Sequence, residues 1–255
     1  MFDELCKIRY TPLRTPMRLC DFPILTFDTY GTLIDWETGL WDALQPLCSR
    51  LDDPPTRETA LANFAQVESA CQAANPDILY ADLLAATHRT LAQNWVSKLD
   101  DAESIRFGQS VGDWPAFADA AESLAYLKRH HRLITLTNCN RASYRGSSAR
   151  LGDPWDAIFT AEEIGSYKPS LANFEFLLAR VAADFGGAPG SILHVAQSLF
   201  HDHVPAKAIG LTTAWIDRRA GRSGGATAPP LEAVEPDFRF KSMAELVAQH
   251  RAERA

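Results

Sequence analysis

Hydrophobic residues along this chain occur in short continuous runs separated by longer stretches with helical spacing. The run at 22–27 is apolar and partly β-branched and ends at a polar residue, which predicts a buried strand leading into a loop. Comparable runs occur at 132–137, 157–160, 192–196 and 212–216. The sequence therefore predicts five strands.

Helical patterns fill the stretches between these runs. Between 37 and 112, apolar residues recur at three- and four-residue intervals with no strong strand pattern. Further helices are predicted near 141–151 and 171–184, and Ser242 with Glu245 forms a capping box for a last helix. Because parallel neighbouring strands need crossover connections, this alternation predicts an α/β fold with a doubly wound parallel sheet. The 37–112 block interrupts it as an all-helical insertion.

Composition narrows the class of protein. No stretch of the 255 residues approaches the roughly 18 uninterrupted apolar residues of a membrane span. The formal charge of -7, without a basic cluster, disfavours binding to a phosphate backbone. We therefore expect neither a membrane nor a nucleic acid as partner. Five cysteines without close pairs or metal-ligand spacing favour a reducing cytoplasm.

The first nineteen residues lack the apolar segment and cleavage site of a secretory signal. We expect residues 1–19 to be a loose extension, and Met17 offers a second start site just before the first strand. Whether residues 1–16 belong to the native protein is left open. The Gly/Pro-rich stretch 220–235 is expected to be a loop.

Polar residues follow several predicted strands, at the edge where open α/β sheets bind ligands. The residues that qualify by position are Asp28, Thr137, Asn138, Lys168 and Asp202. Strand ends of a parallel sheet meet at one edge, so these side chains are candidates for a single site.

A carboxylate beside a glycine-containing turn can act as a nucleophile. Gly31 lets the backbone fold back, and Thr32 can donate a hydrogen bond to one oxygen of Asp28 while the other oxygen attacks. An ammonium from Lys168 would keep Asp28 and Asp202 ionised and could neutralise an anionic substrate. Asp202 could then orient or deprotonate a water.

The ordered motifs resemble those of a known superfamily. The segment 27–35, FDTYGTLID, resembles the first motif of the haloacid dehalogenases, and Tyr30 within it resembles the L-2-haloacid dehalogenase branch. The segments 136–138, 167–169 and 201–202 resemble the second, third and fourth motifs in the same order. The resemblance spans essentially the whole predicted core.

The resemblance implies a Rossmann-like core formed by 20–36 and 113–255, with a helical cap at 37–112. It also implies that Asp28 displaces the leaving group of a short 2-haloalkanoic acid, and that water then hydrolyses the resulting ester. The expected catalytic residues are Asp28, Lys168 and Asp202. The residues expected to hold this small carboxylate substrate are Tyr30, Thr32, Thr137, Asn138, Gln197 and His201.

The phosphatases of this superfamily carry a second aspartate two residues after the nucleophile, where it acts as general acid/base and helps to frame a magnesium site. This chain has Tyr30 there. Halide departure needs no protonation of a leaving alkoxide, so Tyr30 favours dehalogenation over phosphoryl transfer. Asp28 and Asp202 alone would hold a hard cation weakly. We therefore expect neither a metal ion nor another cofactor.

Several positions depart from the better known dehalogenases. Those enzymes have a serine and an asparagine five and three residues before the final aspartate, where this chain has Gln197 and Leu199. Gln197 can still form hydrogen bonds, whereas Leu199 cannot position a water or a halide. His201 stands where a tryptophan is frequent, and Phe174 replaces a tyrosine.

The halide-binding arginine of the family's cap has no clear counterpart. Arg57 and Glu68 lie in the corresponding region, and a carboxylate at Glu68 would repel a halide. The aromatic residues Phe64, Tyr80 and Trp95 are expected to form the core of the cap rather than to contact substrate.

These departures leave the substrate open. A smaller halogen such as fluoride, a strained ring opened at a C–N or C–O bond, and a phosphate ester are the enzymatic alternatives. The non-enzymatic alternative is an interaction module that retains the fold. Members of this superfamily are frequently dimers, and the sequence leaves the oligomeric state open.

Overall fold

The computed structural model describes residues 17–75, 78–95, 100–220 and 233–255. In this part of the chain, a parallel sheet has six strands in the order β3-β2-β1-β4-β5-β6. The strands are β1 Ile24–Phe27, β2 Arg132–Thr137, β3 Ala157–Thr160, β4 Ile192–Ala196, β5 Thr212–Ile216 and β6 Phe238–Phe240. The predicted doubly wound parallel α/β fold is confirmed.

The last strand, β6, is the one that the sequence did not predict. It has three residues, which is too short for a recognisable period, and it follows the Gly/Pro-rich stretch. Pairing with β5 places Phe240 beside Ile216 and buries it. Residues 221–232 of the predicted loop lie outside the described residues, as do residues 1–16 of the extension predicted at 1–19. Leu19, at the end of that predicted extension, is buried in the core.

Four of the described α-helices lie between β1 and residue 112: α1 Trp36–Cys48, α2 Arg57–Ala74, α3 Tyr80–Trp95 and α4 Asp101–Gln109. The described residues of this segment include no strand. Side-chain oxygens of Asp35, Thr56 and Asp100 accept hydrogen bonds from the first turns of α1, α2 and α4, which fixes where these helices begin. The boundaries 37 and 112 of a separate cap stay a prediction.

The remaining α-helices connect or flank the strands of the sheet. They are α5 Ala120–Leu127, α6 Arg141–Arg150, α7 Ala161–Ile164, α8 Leu171–Phe185, α9 Val204–Ala208 and α10 Met243–Arg254. The hydroxyl of Ser242 accepts a hydrogen bond from the Glu245 amide at 3.1 Å, which confirms the Ser242 half of the predicted capping box. The Glu245 carboxylate accepts from the Lys241 amide rather than from the Ser242 amide. Among the described helices, none is long and apolar enough to span a bilayer.

Apolar side chains cover both faces of the sheet. On β2, Leu133 belongs to one buried cluster, whereas Ile134 and Leu136 belong to the other. Leu124 of α5 packs in the first cluster and Leu177 of α8 in the second. Every residue of β1 and β4 is buried. A sheet covered on both faces leaves its edges and strand ends as the places where a ligand can bind.

Four buried histidines make folding sensitive to acid. Burial lowers the pKa values of His88, His203 and His250 to about 4, and it lowers that of His131 as well. The native state keeps these side chains neutral, whereas the unfolded chain binds protons below about pH 6.5. Native stability is therefore fully present above that pH and is lost as the pH falls toward 4.

His250 provides a test of this pH dependence. Its ring nitrogens lie 3.0 Å from the Tyr126 hydroxyl and 2.8 Å from the His131 ring. We expect His250→Gln to reduce the slope of unfolding free energy against pH by about 1 kcal/mol per pH unit between pH 6 and 4.5. Urea unfolding at a series of pH values measures the slope. His130→Gln, at an exposed neighbour, should change it less, and an equal change in both variants would contradict the assignment.

Candidate active site

The site forms where the strand order reverses. Strands β1 and β4 pair in parallel, with Phe27 beside Val195, and each is followed by an acidic residue at its carboxyl end. Asp28 directly follows β1, and Asp202 lies in a π-helical turn, Leu199–His203, after β4. Open α/β sheets bind ligands at this point, because the loops after β1 and β4 diverge to opposite faces and leave a crevice.

Lys168 joins the two carboxylates. Its ammonium Nζ lies 2.8 Å from Asp28 Oδ1, 2.7 Å from Asp202 Oδ1 and 3.0 Å from the Leu136 carbonyl oxygen. These three acceptors use all three N–H groups, and the side chain is buried. Burial alone would lower the pKa of Lys168, but Asp202 and Asp28 outweigh it and raise the pKa above its ordinary value. The lysine is therefore a fixed cation.

Asp28 is held through both carboxylate oxygens. Oδ1 accepts from Lys168, and Oδ2 accepts from the Thr32 hydroxyl at 2.6 Å. The Thr32 hydroxyl oxygen in turn accepts a hydrogen bond from the backbone N–H of Gln197 at 2.9 Å. This bond connects the loop after β1 to the loop after β4. Burial raises the pKa of Asp28, and the charge of Lys168 opposes that rise. Each oxygen retains one further lone pair for reaction.

Gly31 shapes the loop that carries Asp28. Its φ of +92° lies in the left-handed region that favours glycine. A Cβ atom at this position would lie 3.1 Å from the Trp36 ring nitrogen and 3.2 Å from the Gln197 amide oxygen. The predicted fold-back of the chain at Gly31 is therefore present, and it brings Trp36 and Gln197 close to the nucleophile.

Asp202 is held by a lysine and a histidine. Its Oδ1 accepts from Lys168 and lies 3.1 Å from His194 Nε2. Burial would raise the pKa of Asp202, but Lys168 and His194 outweigh burial and lower it. The Thr26 hydroxyl lies 2.8 Å from His194 Nδ1, so these partners assign the proton to Nε2. Asp202 Oδ2 is buried and has no hydrogen-bond partner among the described residues.

Sequence reasoning missed His194. The residue lies inside β4, where its neighbours Leu193 and Val195 are apolar. The one sequence feature that could have indicated a role for His194 is a polar residue within an apolar strand, eight residues before Asp202. Only the fold shows that the two side chains meet. Phe174, which replaces the expected tyrosine, is fully buried and packs edge-on against the His194 ring at 5.3 Å between centroids.

A cavity of about 120 Å³ opens onto the two carboxylates. Its described lining residues are Asp28, Tyr30, Trp36, Glu68, Gln72, Tyr80, Asn138, Tyr167, Lys168, Gln197, Ser198, His201 and Asp202. The volume suits a substrate of a few heavy atoms. Aromatic rings form much of the wall, and the Tyr30 hydroxyl lies 3.0 Å from the Ser147 hydroxyl.

The residues predicted to hold substrate fall into two groups. Tyr30, Gln197 and His201 line the cavity, with the His201 Nδ1 atom 3.1 Å from the Ser198 hydroxyl. Burial lowers the pKa of His201, which keeps the ring neutral at pH 7. Thr137 is buried and does not line the cavity; its hydroxyl accepts from the Cys139 amide at 3.3 Å.

Asn138 and Thr32 position the charged groups. The Asn138 side chain accepts from the Lys168 amide at 2.7 Å and donates to the Lys168 carbonyl at 3.1 Å, which fixes the lysine loop. Asn138 also reaches the cavity wall, whereas Thr32 lies beneath Asp28. Direct contact with substrate stays a prediction for both residues.

Helices α2 and α3 supply the wall opposite the sheet. Glu68, Gln72 and Tyr80 line it. Tyr80 packs against the hydrophobic core, as expected, and it also borders the cavity. The helices place this ring over the cavity, where it lies 6.4 Å from the Tyr30 ring. Phe64 is fully buried, as expected. Arg57 instead borders a second cavity and donates to the Thr38 hydroxyl at 2.9 Å.

A magnesium site framed by three carboxylates does not fit the described residues here. Asp28 and Asp202 already bind the Lys168 ammonium, which would repel a second cation. Mg²⁺ requires a near-octahedral shell of oxygens, and Tyr30 supplies no carboxylate to it. Within the described ranges, no group of three or more His, Cys, Asp or Glu residues is arranged to hold a metal ion.

No protein-family model matches the sequence, and no curated protein matches it. Solved structures do match. The L-2-haloacid dehalogenase PA0810 is 24% identical, with 91% of this chain and 99% of that chain covered and a TM-score of 0.73. The defluorinating L-2-haloacid dehalogenase Rha0230 is 22% identical, with 93% of this chain and 100% of that chain covered and a TM-score of 0.72. The L-2-haloacid dehalogenase from Xanthobacter autotrophicus is 20% identical, with 90% of this chain and 98% of that chain covered and a TM-score of 0.72.

Proposed function

Because the chain has the fold of the haloacid dehalogenases over about 90% of its length, we propose that it is a hydrolase that removes halide from short 2-haloalkanoic acids. The observation that carries the proposal is the arrangement of Asp28. This carboxylate ends β1 at a small cavity, and Thr32 and Lys168 orient its two oxygens. Such a group is a preorganised nucleophile.

In the first step, a carboxylate oxygen of Asp28 attacks the α-carbon of the substrate. A carbon–oxygen bond forms, the carbon–halogen bond breaks, and the halide leaves with the bonding pair. Lys168 holds Asp28 in its charged form near the substrate carboxylate. Gln197 lines the same cavity, and its side-chain N–H groups can donate hydrogen bonds to that carboxylate.

In the second step, water attacks the carbonyl carbon of the Asp28 ester. The acyl–oxygen bond breaks, the 2-hydroxy acid leaves, and the Asp28 carboxylate is restored with release of one proton. The lowered pKa of Asp202 makes it a weak base, so we assign it to orienting water through Oδ2, the buried oxygen without a protein partner. His201, neutral and on the same wall, is placed to accept the proton.

Tyr30 supports halide over phosphate as the leaving group. Its hydroxyl pairs with Ser147 at 3.0 Å, and burial raises its pKa well above the ordinary value. The phenol therefore stays protonated and cannot serve as the general base that the second aspartate of a phosphatase provides.

A halide-release panel tests the proposal. Purified protein is incubated with chloroacetate, fluoroacetate and 2-chloropropionate without added metal, and free halide is measured against time. We expect release from at least one of them, stoichiometric with the 2-hydroxy acid. No halide from any of the three, with protein shown to be folded by circular dichroism, would overturn the proposal. Phosphate release from an aryl phosphate in Mg²⁺ buffer, without halide release, would also contradict it.

A further inference from the structure

The wall that faces Asp28 across the cavity is acidic and phenolic rather than cationic. Glu68 of α2 and Tyr80 of α3 both line it. Among the described lining residues, Lys168 is the single lysine or arginine. Its three N–H groups are already committed to Asp28, Asp202 and the Leu136 carbonyl. The described cavity thus offers a departing anion no free cation.

A carboxylate on this wall would oppose the formation of a halide ion, whereas a carboxylic acid would assist it. Desolvation in the cavity wall raises the pKa of Glu68 to about 7, so a large fraction of the side chain is protonated at neutral pH. The pKa of Tyr80 lies well above its ordinary value, again through burial, so the phenol keeps its proton. The protonated Glu68 side chain can therefore present an O–H donor to the cavity.

We propose that Glu68, as the carboxylic acid, donates a hydrogen bond to the halide leaving the substrate carbon and thereby makes fluoride a competent leaving group. The inference rests on the proposed function and assigns its leaving-group contact. Asp28 attacks, the carbon–fluorine pair departs with fluoride, and the Glu68 proton is shared with it. When fluoride leaves with that proton, the proton released by ester hydrolysis restores Glu68.

Fluoride gains more than chloride from such a donor. Breaking a carbon–fluorine bond concentrates negative charge on a small atom that accepts strong hydrogen bonds, whereas chloride spreads its charge and accepts them weakly. A donor aimed at charge that develops in the transition state lowers the barrier in proportion to that charge. The cavity of about 120 Å³ also suits the smaller halogen.

Other titratable groups near Glu68 do not change charge near pH 7. Burial raises the pKa values of Tyr80, Tyr167 and Cys139, which therefore stay neutral. Lys168 and Asp202 face the cavity from the sheet and stay charged.

Two further groups on the sheet side, Asp28 and His201, can lower the rate only as the pH falls. Asp28 must be ionised to attack, and its pKa is raised by burial. His201 is kept neutral by a lowered pKa. Loss of rate as the pH rises through 7 therefore reports Glu68.

The first experiment compares leaving groups. Values of kcat/KM for fluoroacetate and chloroacetate are measured at pH 6 for the wild type and for Glu68→Leu, which removes the donor and keeps an apolar side chain. We expect the fluoroacetate-to-chloroacetate ratio to fall at least tenfold. Glu58→Leu changes an exposed residue on the same helix and should leave the ratio unchanged. An unchanged ratio in Glu68→Leu would overturn the inference.

The second experiment follows the pH dependence of fluoroacetate turnover. In the wild type we expect kcat/KM to fall above about pH 7, and in Glu68→Gln this limb should disappear. Tyr80→Phe removes the neighbouring hydroxyl that lowers the pKa of Glu68, so the fall in kcat/KM should move to higher pH in this variant. A wild-type limb that persists in Glu68→Gln would refute the role of Glu68. Halide absent from every substrate in the wild type would instead contradict the proposed function itself.

Discussion

Asp28→Asn is expected to reduce halide release by at least about 10⁴-fold. The amide is a poor nucleophile, and we assign no other described side chain of the cavity to attack in its place. The near-isosteric amide keeps the side-chain volume and can still accept from Thr32, whose hydroxyl lies 2.6 Å from Asp28. The fold should therefore survive, and circular dichroism with thermal unfolding verifies that it does. Halide electrode measurements under saturating substrate quantify the loss.

Two further measurements separate covalent catalysis from simple binding. Rapid acid quench should give wild-type protein in which the peptide containing Asp28 carries the substrate carbon skeleton, and Asp28→Asn should lack this adduct. A single turnover in water enriched in oxygen-18 should place the label in Asp28, because water attacks the ester carbonyl. Asp184→Asn, at an exposed helix position, serves as the matched control. Label found only in the product would contradict an aspartyl ester.

Lys168→Met is expected to give the largest change in stability. It removes the ammonium that lies within 2.8 Å of both Asp28 and Asp202 and leaves two buried carboxylates facing each other. Removing one partner of a buried charge network costs about 3–5 kcal/mol, since the remaining charges lose their compensation. Urea unfolding at pH 7.5 measures the change. The same variant should release no measurable halide, because Asp28 loses its orientation and its charged form.

The pH dependence of Lys168→Met distinguishes this cause from loss of packing. Without the ammonium, the folded pKa of Asp28, which burial already raises, rises further, and that of Asp202 rises above its value in the unfolded chain. The folded protein then binds more protons than the unfolded chain, so the variant should lose stability as the pH rises from 5 to 7.5.

Matched variants complete this test. Adding Asp28→Asn to Lys168→Met should recover part of the loss, because it removes one of the repelling charges. Lys207→Met breaks a half-exposed pair with Asp237 and should cost no more than about 1 kcal/mol. A loss in Lys168→Met that is constant with pH would contradict the electrostatic cause.

The sequence alone determined the α/β class and most of the strands. Apolar runs bounded by polar residues and glycine carry this information locally, because a strand buried on both faces must be continuously hydrophobic. Strand β6 escaped notice because its three residues hold no period, and its burial depends on pairing with β5. The order of polar residues at strand ends also predicts that Asp28, Lys168 and Asp202 lie at one edge of the sheet.

What the tertiary structure decided is which side chains meet across elements distant in the chain. His194 is an unremarkable member of an apolar strand until the turn after β4 folds its Asp202 back onto the ring. Thr137 follows a strand end, as a ligand-binding residue would, yet it is buried away from the cavity. Burial and hydrogen-bond partners depend on the whole fold, so spacing along the chain does not encode them.

The wall formed by α2 and α3 shows the same division most clearly. Helical periodicity predicted the helices, but their rotation about their own axes, which is set by packing, decided that Tyr80 and Glu68 face Asp28. The altered pKa of Glu68 is likewise a property of the enclosure and not of the residue. The sequence thus determined the nucleophile through a local motif, whereas only the assembled fold decided what lies opposite it.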